Sequence, residues 1–261
     1  MKVARVDIEA PVASFRYPHF LIGRQPTFDM PPPSTIYGLV GAALGRWPAR
    51  GELRFGYHFV FSALATDLEH QHIVFPGRPD KMGREESALF TAWKGRHGLN
   101  VGGTVQPVAR DFLFGCRLTL YLDPVECGAA MLRPAFCLTL GRSQDLATVV
   151  KVDDVDLDEA EGAYLEHALL PFETARPRTA VGSTVLMPSF VGPPPEREAE
   201  FARYVVLHER VFVGSWDERV TLRPGSWQAL RFEGDKRRWW VDSDSPEIAG
   251  VRRGVEWVSV V

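Results

Sequence analysis

Arg16, Tyr17, His19, Phe20 and Arg24 interleave positive charge with flat rings over a few positions. Guanidinium groups hold phosphates and aromatic faces stack bases, so this mixture is the chemistry of contact with a single nucleic-acid strand. A proline run (Pro31, Pro32, Pro33) follows, and after it a small-residue helix that starts at Ser34 or Thr35 and stops at Gly45, with Pro48 beyond. Ser34 is the expected N-cap. No acid occupies the first turn, and a capping box would need Glu or Gln where Tyr37 stands. The helix start therefore offers backbone N–H groups and a positive dipole end without an internal anionic partner. Such an end suits a phosphate, which brings Ser34, Thr35 and Tyr37 into the candidate set.

Two further groups could touch the same ligand. Residues 76–109 break all periodicity, carry six glycines and place Arg78, Lys81, Arg84, Lys94 and Arg96 around Phe90 and Trp93, with His97 close by. An irregular stretch of that length reads as a functional insertion, and its composition suits backbone and base contacts; Lys94, Arg96 and His97 are its candidate contacts. Downstream, Gly141-Arg142-Ser143 at a predicted strand end puts a glycine, a guanidinium and a hydroxyl in one loop, so Arg142 and Ser143 are candidate phosphate ligands. His70 and His72 share one strand face, but no Cys, His or carboxylate set accompanies them, and no metal site or cofactor is expected.

The elements that must position these groups are mostly strands. Ala4, Val6, Ile8 and Ala10 alternate with Arg5, Asp7 and Glu9, the period of a half-buried strand. Ile36, Leu39, Val40, Ala43 and Leu44 form the apolar face of the helix, whereas Gly38, Gly41, Ala42 and Gly45 form a face without bulk, suited to close packing. Phe55–Phe75 predicts one or two strands. Asp111–Asp123 alternates throughout and is the clearest strand of the chain. A short helix around Ala129–Leu132, a strand over Ala135–Leu140 and a short helix over Tyr164–Leu170 are expected. Asp153–Glu161, six acids without a base, reads as a solvated face or linker and marks a domain boundary near residue 150. Strand-like runs dominate after it, with a turn at Gly234-Asp235-Lys236.

The 261 residues can bury a substantial core, and a hydrophobic fraction of 45% with 24% charged residues is that of an ordinary globular protein. A net charge of −3 argues against a broad duplex-DNA clamp but permits a local basic groove. Cys116, Cys127 and Cys137, three in number and without a CxxC pair, read as thiols of a reducing compartment, so a cytoplasmic protein without leader or membrane span is expected.

With these residues assembled, the chain resembles the CRISPR-associated protein family Cas five of the RAMP superfamily. The stretch RYPHFLIGRQPTFDMPPPSTIYGLVGAALG is similar to the family's N-terminal signature; Arg110-Asp-Phe-Leu before a long strand and Leu140-Gly-Arg-Ser resemble two later landmarks in the same order. The resemblance covers residues 1–150. It implies an α+β fold: a ferredoxin-like, RRM-like domain over 1–150 with a thumb insertion at about 76–109, followed by a β-rich region over 151–261. It also implies a non-catalytic subunit of the Cascade effector of antiviral DNA interference, which caps the 5′ handle of the crRNA. Its implied partners are the crRNA, the backbone and large subunits and, within the complex, target DNA; no membrane is implicated.

Two other classes compete. Some relatives cut precursor crRNA without metal by a Tyr, Lys and His set, for which Lys94, His97 and Tyr37 or Tyr57 supply the residue types. A nucleotide-binding small-molecule enzyme would need a Walker or G-x-G-x-x-G loop, and neither is present.

Overall fold

Alternation builds the centre of the molecule, a computed structural model that describes residues 1–20, 22–76, 100–172, 182–215, 228–229 and 237–259. The elements in order are β1 (Lys2–Ala13), β2 (Arg24–Gln25), α1 (Pro33–Leu44), β3 (Arg54–Val60), β4 (Ala63–Pro76), β5 (Asn100–Asp123) and α2 (Cys127–Leu132). Then come β6 (Thr148–Ala160), β7 (Gly162–Leu165), β8 (Ala168–Pro171), β9 (Ser183–Val191), β10 (Ala199–Leu207) and β11 (Val211–Gly214). Four short strands close the chain: β12 (Gln228–Ala229), β13 (Trp239–Asp242), β14 (Gly254–Val255) and β15 (Val258–Ser259).

β1 is flanked by β5 and β6, and β5 by β3, all antiparallel, giving the order β6-β1-β5-β3 with α1 following β1 and α2 following β5. The sheet continues through β8, β10 and β9 on one side and β13 and β14 on the other. Ala4, Val6, Ile8 and Ala10 face Phe55, Phe59, Leu118, Leu120 and the buried side of α1 in one core. Burying each large side chain there contributes ~1.5–3 kcal/mol. α2 approaches β1 so closely that a side chain at Gly128 would meet Ala4 and Val152.

The other face of the sheet is covered too. The chain crosses β3 where a Cβ at Gly56 would lie 2.6 Å from the Glu256 carbonyl oxygen. Beside it, Asp242 accepts from the Tyr121 hydroxyl at 2.7 Å and from Arg5 at 3.0 Å, while Arg5 also reaches Asp153 at 3.0 Å.

Beyond the sheet, β4 and the N-terminal half of β5 form a two-stranded arm, paired from Ala63↔Phe114 to Pro76↔Asn100. At its root Gly115 takes φ +65° and a Cβ there would lie 2.7 Å from Ser62 Oγ, so the bend requires glycine. The irregular insertion expected over 76–109 is therefore strand from residue 100 onward; Arg78, Lys81, Arg84, Phe90, Trp93, Lys94, Arg96 and His97 lie outside the described residues.

Other expectations need correction. Residues 135–140 form no strand, because the Ala135 and Phe136 N–H groups donate to Ala43 and Ala42 carbonyls at the end of α1. Tyr164–Leu170 is β7 and β8 rather than a helix, buried on both faces and so without alternation. The acidic run is not a linker: it lies in β6, across which the expected boundary at 150 falls, and its Asp153 and Asp154 pair with Arg5 and Lys2. The predicted strand over 204–213 is broken between β10 and β11, and the turn at 234–236 lies outside the described residues.

Candidate nucleic-acid interface

The segment between β1 and α1 is pinned along its length. Phe15 N donates to Thr27 Oγ1 at 2.8 Å, Phe28 N to the Phe15 carbonyl at 2.8 Å and Ala109 N to the Gly23 carbonyl at 2.8 Å; β2 runs parallel to β5 at Ala109 and Arg110. Phe15 and Phe28 turn into the core, so Arg16, His19 and Phe20 are left on the outside. The Tyr17 ring packs on Phe28 with centroids 3.7 Å apart, and burial and the nearby Asp29 carboxylate hold its phenol above the ordinary value. His19 stacks on Phe201 of β10 at 6.1 Å and Phe20 is 49% exposed. These are presented rings, and Arg16 beside them is a cation with no ion pair among the described residues.

Arg24 also faces outward, but its Nη2 lies 3.1 Å from Asp111, which Thr66 Oγ1 also contacts at 2.7 Å. Arg142 is enclosed. Its guanidinium donates to Asp145, which is fully buried, at 2.8–3.1 Å and to Glu69 at 2.5 Å, and Glu69 accepts from Arg110 at 2.5 Å. Burial opposes the Arg142 charge, yet Asp145 and Glu69 outweigh it and raise the pKa. Gly141, at φ +107°, lets the turn lie against the Ser14 backbone, and Ser143 is exposed. Among the described residues, the sequence-predicted cations thus separate into an accessible one, Arg16, a shared one, Arg24, and an internally satisfied one, Arg142.

α1 begins at Pro33 with Pro32 as N-cap, so Ser34 is a first-turn residue and not the cap. The helix start has no acid and no side-chain cap, and Ser34 and Thr35 are half-buried. Tyr37 leaves the candidate set. It is 1% exposed, and its hydroxyl donates to the Pro48 and Ala49 carbonyls at 2.5 and 2.9 Å. Tyr57 is likewise internal, with its hydroxyl 2.5 Å from the Pro31 carbonyl. On the second face of α1, Gly41 and Gly45 meet protein atoms, whereas Gly38 faces open space.

Three polar residues that the sequence did not single out lie near the start of α1. Asp29 Oδ2 is 3.7 Å from His208 Nε2, and both line a cavity with His167. No local motif announces them, since they come from three segments far apart in the chain. The exposed His70 and His72 stand on β4, and among the described residues no group of three His, Cys, Asp or Glu side chains is placed to hold a metal.

Residues 4–65, which hold β1, the pinned segment, α1 and β3, match the family model described as CRISPR-associated protein (Cas_Cas5). Over that N-terminal stretch, about a quarter of its length, the chain is similar to the CRISPR-associated Cas5 proteins. Solved structures with some likeness include a chain of a CRISPR RNA-guided surveillance complex, at 12% identity and TM-score 0.47 over 78% of this chain and 88% of that one. A CRISPR protein from Archaeoglobus fulgidus gives 14% identity and TM-score 0.40 over 80% and 87%. A chain of the Type III-B Cmr-beta complex bound to cognate target RNA gives 14% and 0.46 over 79% and 85%. Likeness at that level carries neither fold nor function over to this chain. No curated protein sequence matches it.

Proposed function

We propose that the chain is a non-catalytic RNA-binding subunit of a type I CRISPR Cascade effector, gripping the 5′ handle of the crRNA and joining backbone and large subunits in antiviral DNA interference. The observation that carries this reading is the coincidence of the family match with the pinned segment, where Arg16, His19 and Phe20 stand outside a helix start that has no acid. On this reading the order β6-β1-β5-β3 with its two helices is the ferredoxin-like RAMP core, and the β4/β5 arm is the base of the thumb. Residues up to about 150 supply Arg16, His19 and Phe20 to the RNA, and the β-rich remainder covers the sheet. Among the described residues no helix is long and apolar enough to cross a membrane, and a cytoplasmic place fits the proposed role.

The competing reading, metal-independent cleavage of precursor crRNA, loses both of its tyrosines: the Tyr37 and Tyr57 phenols are buried and donate to backbone carbonyls. Its Lys94 and His97 lie outside the described residues. Fluorescence anisotropy with cognate repeat RNA in EDTA tests both readings at once. Stable binding without cleavage is expected, with Arg16→Ala lowering the salt dependence by about 0.7 in log–log slope, one phosphate's share on a single strand. Specific cleavage abolished by His97→Ala would overturn the non-catalytic reading.

A further inference from the structure

We infer that the cavity between the proline run and the C-terminal strands is a pocket for one nucleobase, and that it selects a base with an exocyclic amino group over uracil. This rests on the reading of the chain as an RNA-binding subunit. The cavity is ≈130 Å³, framed by Asp29 and Met30 ahead of the prolines, by Phe59 and Phe61 at the bend from β3 to β4, and by His167 and His208. Size decides what enters. Sites for whole drug-sized ligands run to ~300–1,000 Å³, so the smaller space here suits a single flat ring system.

Its lining is divided. Met30 and Phe59 are 2% exposed and form an apolar floor, whereas Asp29 and His208 stand half-exposed at the mouth, 3.7 Å apart. An apolar floor with a carboxylate at the rim disfavours a phosphate, which would lose its hydration below and meet like charge above. A base fits both parts: its faces lie on rings and methylenes while its polar edge meets the rim.

Asp29 sets the selectivity. An ionised carboxylate only accepts hydrogen bonds, so it pairs with an amino group, whereas uracil flanks its single imino N–H with two carbonyl oxygens that would face it. The imidazoles of His167 and His208 supply donors for the ring nitrogens and carbonyls of the base. The pocket lies at the far end of β10 from the His19–Phe201 stack: Phe201 and Leu207 are six residues apart, about 20 Å in an extended strand.

The test uses the full chain and labelled short oligouridylate, all-uracil or with guanine, cytosine or adenine placed singly at each position. At one position an amino-bearing base is expected to tighten binding about tenfold over uracil, the discrimination of one good edge contact. Asp29→Asn, which keeps the shape but adds a donor that can meet a uracil carbonyl, is expected to abolish that preference. Equal binding of every oligonucleotide, or a preference that survives Asp29→Asn, overturns the pocket and leaves RNA binding standing. If no oligonucleotide binds, the RNA-binding reading falls and the pocket with it.

Discussion

Arg142 Nη1 and Glu69 Oε1 meet at 2.5 Å although 73 residues separate them, so the turn after α2 is tied to the outer strand of the arm. The same guanidinium holds the buried Asp145. Arg142→Ala strips the buried Asp145 of its guanidinium, whereas Glu69 keeps Arg110, and removing one member of a buried ion pair costs about 3–5 kcal/mol. Urea denaturation is expected to show a loss of that order, with a much smaller further loss when Asp145→Ala is added. The salt dependence of RNA binding is expected to stay as in the parent protein.

Tyr37 is the complementary case. Its phenol is shared by two carbonyls of the loop after α1, and Tyr37→Phe leaves them without it. A loss of about 1–2 kcal/mol is expected in the same denaturation measurement, with RNA affinity unchanged.

The two glycine classes on α1 are expected to move in opposite directions. A Cβ added at Gly38 would meet no other atom within 4 Å, so Gly38→Ala gains ~0.5–1 kcal/mol in the isolated chain by limiting the unfolded state. Gly45 sits at φ +73°, where a Cβ would lie 2.8 Å from Ala135 Cβ, and Gly45→Ala is expected to lower the thermal midpoint. An Ala at 38 that stabilises the protein yet weakens RNA binding would identify Gly38 as a point of ligand approach.

Acid sensitivity is built into β3. Burial, helped by Arg253, His167 and Arg210, pulls His58 from the ordinary 6.5 down to about 3; Glu166, 4.0 Å from its Nε2, does not offset this. The unfolded chain therefore binds a proton that the folded one refuses. The contribution of neutral His58 is whole above pH 6.5 and is lost as pH falls from 6.5 towards 3. Urea midpoints measured across that range are expected to fall less steeply for His58→Leu than for the parent.

Much of the fold was legible where one face of an element is buried and the other is wet. β1 and β5 announce themselves by alternation, and α1 by its apolar stripe. β7 and β8 did not, because both of their faces are covered and the alternation vanishes. Ala135–Leu140 misled in the other direction: it alternates, yet it spends its N–H groups on the end of α1. In the candidate interface, side-chain types were readable and their company was not. Arg16 and Arg142 look alike in sequence, but the register of β4 against β5 sets Glu69 beside Arg110, and the turn after α2 brings Arg142 to the same carboxylate. Asp145, three residues after Arg142, was the one local hint. The cavity residues Asp29, His167 and His208 meet through sheet topology, which no spacing along the chain encodes.

β5 is at once the strand between β1 and β3 and half of the arm, with Gly115 at the junction. The arm is accordingly a lever whose short end is the innermost strand of the molecule. A load on its tip reaches β1 through the continuous backbone of β5, and the arm cannot be pulled away without drawing on the hydrogen bonds at the centre of the sheet.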